Sequence, residues 1–129
     1  MAVSVLTNVT LDAQTGRLQA TLTAASSAGA SSVFCGFTPR KIELRQHTLT
    51  LDGTCMSHWS KGMASPSYML TGNTGTTTYG TTNGYTILDG SEAAPTAAAT
   101  GSPNSSGVGF TIGTGVITAL LSYTLTAER

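Results

Sequence analysis

The side chains best suited to metal binding or nucleophilic catalysis in this chain are Cys35, Cys55, His47 and His58. A structural zinc site needs closely spaced ligand pairs on both sides of the metal, and only Cys55 and His58 approach that spacing. The same two residues could form a nucleophile and its base, but an odd offset on a strand directs side chains to opposite faces. We therefore expect structural thiols, with no metal and no cofactor.

Catalytic carboxylates are not expected either. Asp12, Asp52 and Asp89 all lie at turn signals, where an aspartate accepts backbone hydrogen bonds. The chain has no G-x-S-x-G nucleophile elbow, and the glycine-rich stretch 72–80 lacks the lysine of a phosphate-binding loop. These patterns predict that the protein is not an enzyme.

Length and charge limit the remaining classes. A chain of 129 residues favours a single domain over 1–129. Six basic and six acidic residues give no cationic excess, so we expect no nucleic-acid partner. No apolar run reaches the roughly 20 residues that a membrane helix needs, so no membrane partner is expected. The N-terminal residues do not resemble a secretory signal, which favours cytoplasmic synthesis.

Composition favours strands over helices. The chain contains 24 Thr, 14 Ser and 15 Gly, residue types that are poor in helix interiors. Charged residues make up 9% of the chain, where soluble domains have about a quarter. This low charge fits either a surface that other subunits cover or a Thr-rich β protein that tolerates few charges, and both interpretations stay open.

Alternating apolar residues locate the predicted strands of the first half. Residues 3–11 and 17–23 form a predicted hairpin around the turn at 12–16. Further strands are predicted at 33–37, 40–45 and 55–59. Pro39 ends the alternation of the first of these, and Leu49 and Leu51 continue the alternation of the second.

Long loops separate the predicted strands of the second half. A Thr/Gly-rich loop at 71–84, with room for a small hairpin, precedes a strand at 85–88. An Ala/Ser-rich loop at 89–107 precedes a strand that starts at Phe110. The longest strand, 116–126, is expected to be central. The pattern predicts an all-β fold, a β-sandwich of jelly-roll-like form.

Two groups of short stretches resemble a known family. One is GFTPRKIEL at 36–44 with WSKGMA at 59–64, and the other is GYTI at 84–87 with its echo GFTIG at 109–113. In this order they are similar to small virion proteins of tailed bacteriophages, the head decoration or cement proteins. The resemblance implies a homotrimer on the capsid surface that binds the major capsid protein and is assembled in the host cytoplasm.

Two sets of residues are candidate partner contacts. Residues 1–11, with Val3 and Val5, form either a strand of the domain or an N-terminal arm that adds a strand to a neighbour. The alternative function is a receptor- or glycan-binding module of a tail or fibre. Its contacts would be Tyr79 and Tyr85 with the loop at 71–84.

Overall fold

The computed structural model describes residues 4–12, 14–25, 30–47, 56–72, 75–91, 98–103, 107–118 and 120–129. These residues form ten β-strands and no helix, which confirms the all-β prediction. The strands are β1 Val5–Asp12, β2 Arg17–Thr23, β3 Ser31–Phe34, β4 Lys41–Gln46, β5 Met56–Ser60, β6 Tyr68–Thr71, β7 Thr77–Gly80, β8 Tyr85–Asp89, β9 Val108–Ile112 and β10 Ser122–Glu128. A search of the same residues for a helix able to cross a membrane finds none.

The strands form two antiparallel sheets, as a β-sandwich requires. The larger sheet has the order β1-β2-β10-β4-β5-β6-β7, and the smaller has the order β3-β9-β8. One cluster of buried residues from both sheets forms the core. The jelly-roll connectivity stays a prediction.

Strict alternation builds the centre of the larger sheet. Strand β10 lies between β2 and β4, which confirms its predicted central position. Its residues Tyr123, Leu125 and Ala127 are fully buried, while the residues between them are half-exposed. Period-2 patterning therefore places one face of this strand in the core and the other toward solvent.

The hairpin predicted from residues 3–23 is present as β1 and β2. Its turn depends on Asp12, whose Oδ1 accepts hydrogen bonds from the backbone N–H groups of Gln14 and Thr15. The Thr15 bond favours the ionised carboxylate and lowers the pKa of Asp12 below its ordinary value. Strand β1 carries a bulge at Asn8, whose φ of 52° lies in the left-handed region.

The last strand begins later than the sequence predicts, at Ser122 and not at residue 116. Val116 and Ile117 are buried, but they lie in an irregular segment that precedes the strand. The backbone N–H of Thr118 donates to the Tyr123 hydroxyl at 2.8 Å, and Leu120 takes a φ of 68°. These two features turn the chain, so the apolar alternation extends beyond the strand.

The end of β3 also differs from the sequence prediction. Strand β3 ends at Phe34 because Gly36 adopts a φ of 83°, which leaves Cys35 and Phe37 buried outside the strand. The predicted loop 71–84 contains β7, which pairs with the preceding strand β6 as a small hairpin. The predicted continuation through Leu49 and Leu51 lies outside the described residues.

The glycine–aromatic stretches at 84–87 and 109–113 are neighbouring strands. Strands β8 and β9 pair with Tyr85 opposite Ile112, and the Gly113 N–H donates to the Gly84 carbonyl at 2.9 Å. A Cβ on Gly113 would lie 2.3 Å from the carbonyl oxygen of Asn83. Gly113 therefore allows two backbones to approach closely.

The variant Gly113→Ala tests this packing. We expect it to lower the free energy of unfolding by about 1–3 kcal/mol, the usual cost of overpacking against an immobile backbone. Gly72→Ala is the matched control, since its Cβ would lie 3.9 Å from the nearest atom. Urea denaturation followed by circular dichroism measures both, and equal losses would contradict the close-approach explanation.

Candidate functional site: a groove with an apolar floor and a cationic rim

The stretches 36–44 and 59–64 meet at one open groove of about 490 Å³. The first stretch contributes three consecutive residues, and the second contributes a tryptophan and the turn that follows it. Residues from β8 and the chain end complete the wall. The lining is Thr38, Pro39, Arg40, Trp59, Lys61, Gly62, Met63, Ser65, Ile87 and Arg129.

Pairing between β4 and β5 brings the two stretches together. Ile42 lies opposite Trp59, and just before β4 the Arg40 carbonyl accepts a hydrogen bond of 2.7 Å from the Lys61 N–H. The chain then turns, with the Met63 N–H bonded to the Ser60 carbonyl at 3.0 Å. Gly62 at the turn has a φ of 109°, a conformation that side chains disfavour. The local sequence thus directs Lys61 and Met63 to the groove.

The floor of the groove is apolar. Pro39 is buried, Trp59 is 5% exposed, and Met63 and Ile87 are half-buried. The indole Nε1 of Trp59 is buried and has no hydrogen-bond partner. A buried donor without an acceptor carries an unfavourable free energy, which a ligand oxygen could relieve after a small local movement.

The rim of the groove is cationic. Arg40 and Lys61 are exposed, and within the described part of the chain neither side chain forms an ion pair. Arg129 lies with its guanidinium 6.0 Å from the Phe37 ring centroid, and its Nη2 donates to the Gln14 carbonyl at 2.7 Å. No carboxylate side chain is among the described residues that line the groove.

This arrangement suits a ligand that combines an anionic group with an apolar one. An anionic group would interact with Arg40 and Lys61, while an adjoining apolar group would cover Trp59 and Met63. The contacts predicted from the sequence did not include these residues, although Arg40 follows Pro39 and Lys61 lies two residues after Trp59 in the stretches that carry the resemblance.

The N-terminal candidate contacts have mixed positions. Val5 is 38% exposed, but the backbone beside it is already paired, since the Leu6 N–H donates to the Thr100 carbonyl at 2.7 Å. Leu6 is buried in the core, so residues 5–11 belong to a strand of the sheet and the arm interpretation is wrong for them. Val3 lies outside the described residues.

The two candidate tyrosines lie in opposite environments. Tyr79 on β7 is 72% exposed and is available to a partner. Tyr85 is fully buried, and its hydroxyl shares a hydrogen bond of 2.6 Å with the Ser57 Oγ. The prediction that Tyr85 contacts a partner is therefore wrong, because its ring packs between the sheets.

The thiol and imidazole groups do not assemble into a site in the described residues. Cys35 is buried, its Sγ donates to the Phe37 carbonyl at 3.2 Å, and burial raises the pKa of its thiol. His47 shares a hydrogen bond with the Thr124 hydroxyl. The described residues include no cluster of three groups that could ligate a metal, and Cys55 lies outside them.

The variant Tyr85→Phe tests the buried hydroxyl. Burial raises the pKa of Tyr85 far above its ordinary value of 10.0, so the folded chain keeps a proton that the unfolded chain releases near pH 10. Stability therefore falls as the pH rises above 10, and the variant should show a shallower fall. At neutral pH it should lose about 1–3 kcal/mol, because the Ser57 hydroxyl loses its partner.

Urea denaturation at pH 7 to 11 measures both effects. Tyr79→Phe is the control, since its hydroxyl belongs to an exposed side chain. An alkaline loss of stability as steep in Tyr85→Phe as in the wild type would contradict the assignment.

In the comparisons with known proteins, no family model, curated protein or solved structure matches this chain.

Proposed function

We propose that this chain is a head decoration, or cement, protein of a tailed bacteriophage. It binds the major capsid protein at the surface of the mature shell, after assembly in the host cytoplasm. The groove is the observation that carries the proposal. The stretches 36–44 and 59–64, on which part of the resemblance rests, are separated by residues 45–58, yet they line one apolar groove with a cationic rim.

The groove suits a short acidic segment of a capsid subunit with a neighbouring apolar residue. The apolar side chain would cover the floor at Trp59 and Met63, and the carboxylate would interact with Arg40 and Lys61. Such a segment need be accessible only in the expanded shell. Binding to that state alone stabilises it by mass action, so decoration strengthens the shell without any chemical step.

The outer face of the larger sheet supports the proposed homotrimer. At the end of the face near Ser122 the outward groups are mainly hydroxyls, from Thr7, Thr21, Thr23, Ser122 and Thr124. The opposite end carries Asp12, Arg17 and Glu128. Hydroxyl groups cost less to remove from water than charges do, so the end near Ser122 can be covered by another subunit without burying unpaired ions.

Charge reversal in the groove tests the proposal. The double variant Arg40→Glu with Lys61→Glu should bind expanded shells of the cognate major capsid protein at least about tenfold more weakly, because the rim then repels a carboxylate. The assay is co-sedimentation with purified shells. Arg45→Glu is the control, since Arg45 lies on the outer face of β4 and not in the groove.

Unchanged shell binding by a folded double variant would refute docking through the groove. Equal weakening by Arg45→Glu would instead assign the contact to the outer face of the larger sheet.

A receptor- or glycan-binding module of a tail or fibre is the second candidate, and the exposed Tyr79 favours it. Binding to a glycan array would support this candidate if an oligosaccharide bound the wild type and the variant Tyr79→Ala lost that binding. A wild type that binds no sugar on the array would count against it.

A further inference from the structure

In the described part of the chain, other segments cover two of the four sheet edges and the start of a third. The start of β1 pairs with Thr100, and a bulge follows at Asn8. Strand β3 accepts a hydrogen bond from the Ala99 N–H at its Ser32 carbonyl. Strand β8 bonds to residues 65–67, with the Tyr85 N–H donating to the Ser67 carbonyl at 3.2 Å. Coverage of this kind prevents unwanted strand pairing.

The fourth edge, β7, lacks this protection. Its sequence is TTYG, with no charge and no proline, and three of its four residues are exposed. Among the described residues, the structure shows strand pairing for β7 on its β6 side alone. An open, uncharged edge presents unpaired N–H and C=O groups to any strand that can match them.

The register of the β6–β7 hairpin determines which groups point outward. The Gly72 N–H donates to the Thr76 carbonyl, and pairing continues with Leu70 opposite Thr78 and Tyr68 opposite Gly80. Because hydrogen-bonded positions alternate along an antiparallel strand, Thr78 and Gly80 bond to β6. The N–H and C=O groups of Thr77 and Tyr79 therefore point away from the sheet.

We propose that β7 pairs antiparallel with β7 of a second copy of this chain, about a two-fold axis at Thr78. In this register Thr77 of one copy lies opposite Tyr79 of the other, so every outward N–H meets a carbonyl. The two-fold axis pairs Thr77 with Tyr79 in both directions, so the outward N–H and C=O groups of one β7 match those of the other.

Side chains match in the same register. Tyr79 lies across from a threonine, and the two copies of Thr78 face each other on the opposite side of the sheet. Aromatic–β-branched pairs and Thr–Thr pairs are both favourable across antiparallel strands. With no charge on β7, no repulsion opposes a second copy, and the pairing joins two seven-stranded sheets into one.

Charge exchange at Thr78 tests the pairing. Thr78 is exposed, so Thr78→Lys and Thr78→Glu should fold normally. Each variant alone places like charges at the two-fold axis, and its mass by light scattering should be half that of the wild type at equal concentration. An equimolar mixture of the two should restore the full mass, because Lys then faces Glu. Thr114→Lys in the exposed turn after β9 is the matched control and should keep the wild-type mass.

The pairing does not depend on the groove or on the capsid. If the chain also forms trimers, β7 joins one trimer to another, and the charge variants return that pair to single trimers. A wild-type chain that is monomeric from micromolar to millimolar concentration would overturn the proposal. So would a Thr78→Lys mass equal to that of the wild type, or a mixture that stays at half mass.

Discussion

The contact between the inner faces of the two sheets is the constraint on which the rest of this structure depends, and Tyr85 lies within it. Its ring is fully buried in the shared core, and its hydroxyl is bonded to Ser57 on β5 of the larger sheet. A buried hydroxyl without a partner would be costly, so this bond specifies how β8 must lie over β5. Gly84 and Gly113 near Tyr85 let the backbones of residues 66–67 and 83–84 approach them closely.

The groove is a consequence of that packing. Pairing of β4 with β5 places Arg40 beside Lys61, and the smaller sheet contributes Ile87 to the opposite wall. The rigid sheets hold the apolar floor, while the cationic side chains lie at their margins in turns. A binding site built in this way is preorganised, which lowers the entropic cost of docking a flexible partner segment. This property suits a protein that acts through binding energy.

The edges of the two sheets differ in whether their backbone groups are already bonded. Residues 98–102 and 65–67 are irregular segments, yet their hydrogen bonds cover β3, β8 and the start of β1. Strand β7 has no such cover in the described part of the chain. The low overall charge is ambiguous as a property of composition, but the structure shows that the exposed strand β7 carries no charge.

The sequence by itself determined the class of fold and most of its strands. Alternation marked β2, β4 and the central β10, and turn residues such as Asp12 marked the hairpin, because these signals act between neighbours in the chain. It could not place the end of β3 near Gly36 or the start of β10 at Ser122, where backbone torsions and a bond to Tyr123 override the apolar pattern.

Tertiary structure alone decided that Tyr85 is buried and Tyr79 exposed, since both aromatic rings follow glycine- and threonine-rich segments of similar composition. It also assembled the groove, because Arg40, Trp59 and Arg129 become neighbours only through pairing between strands that are distant in sequence.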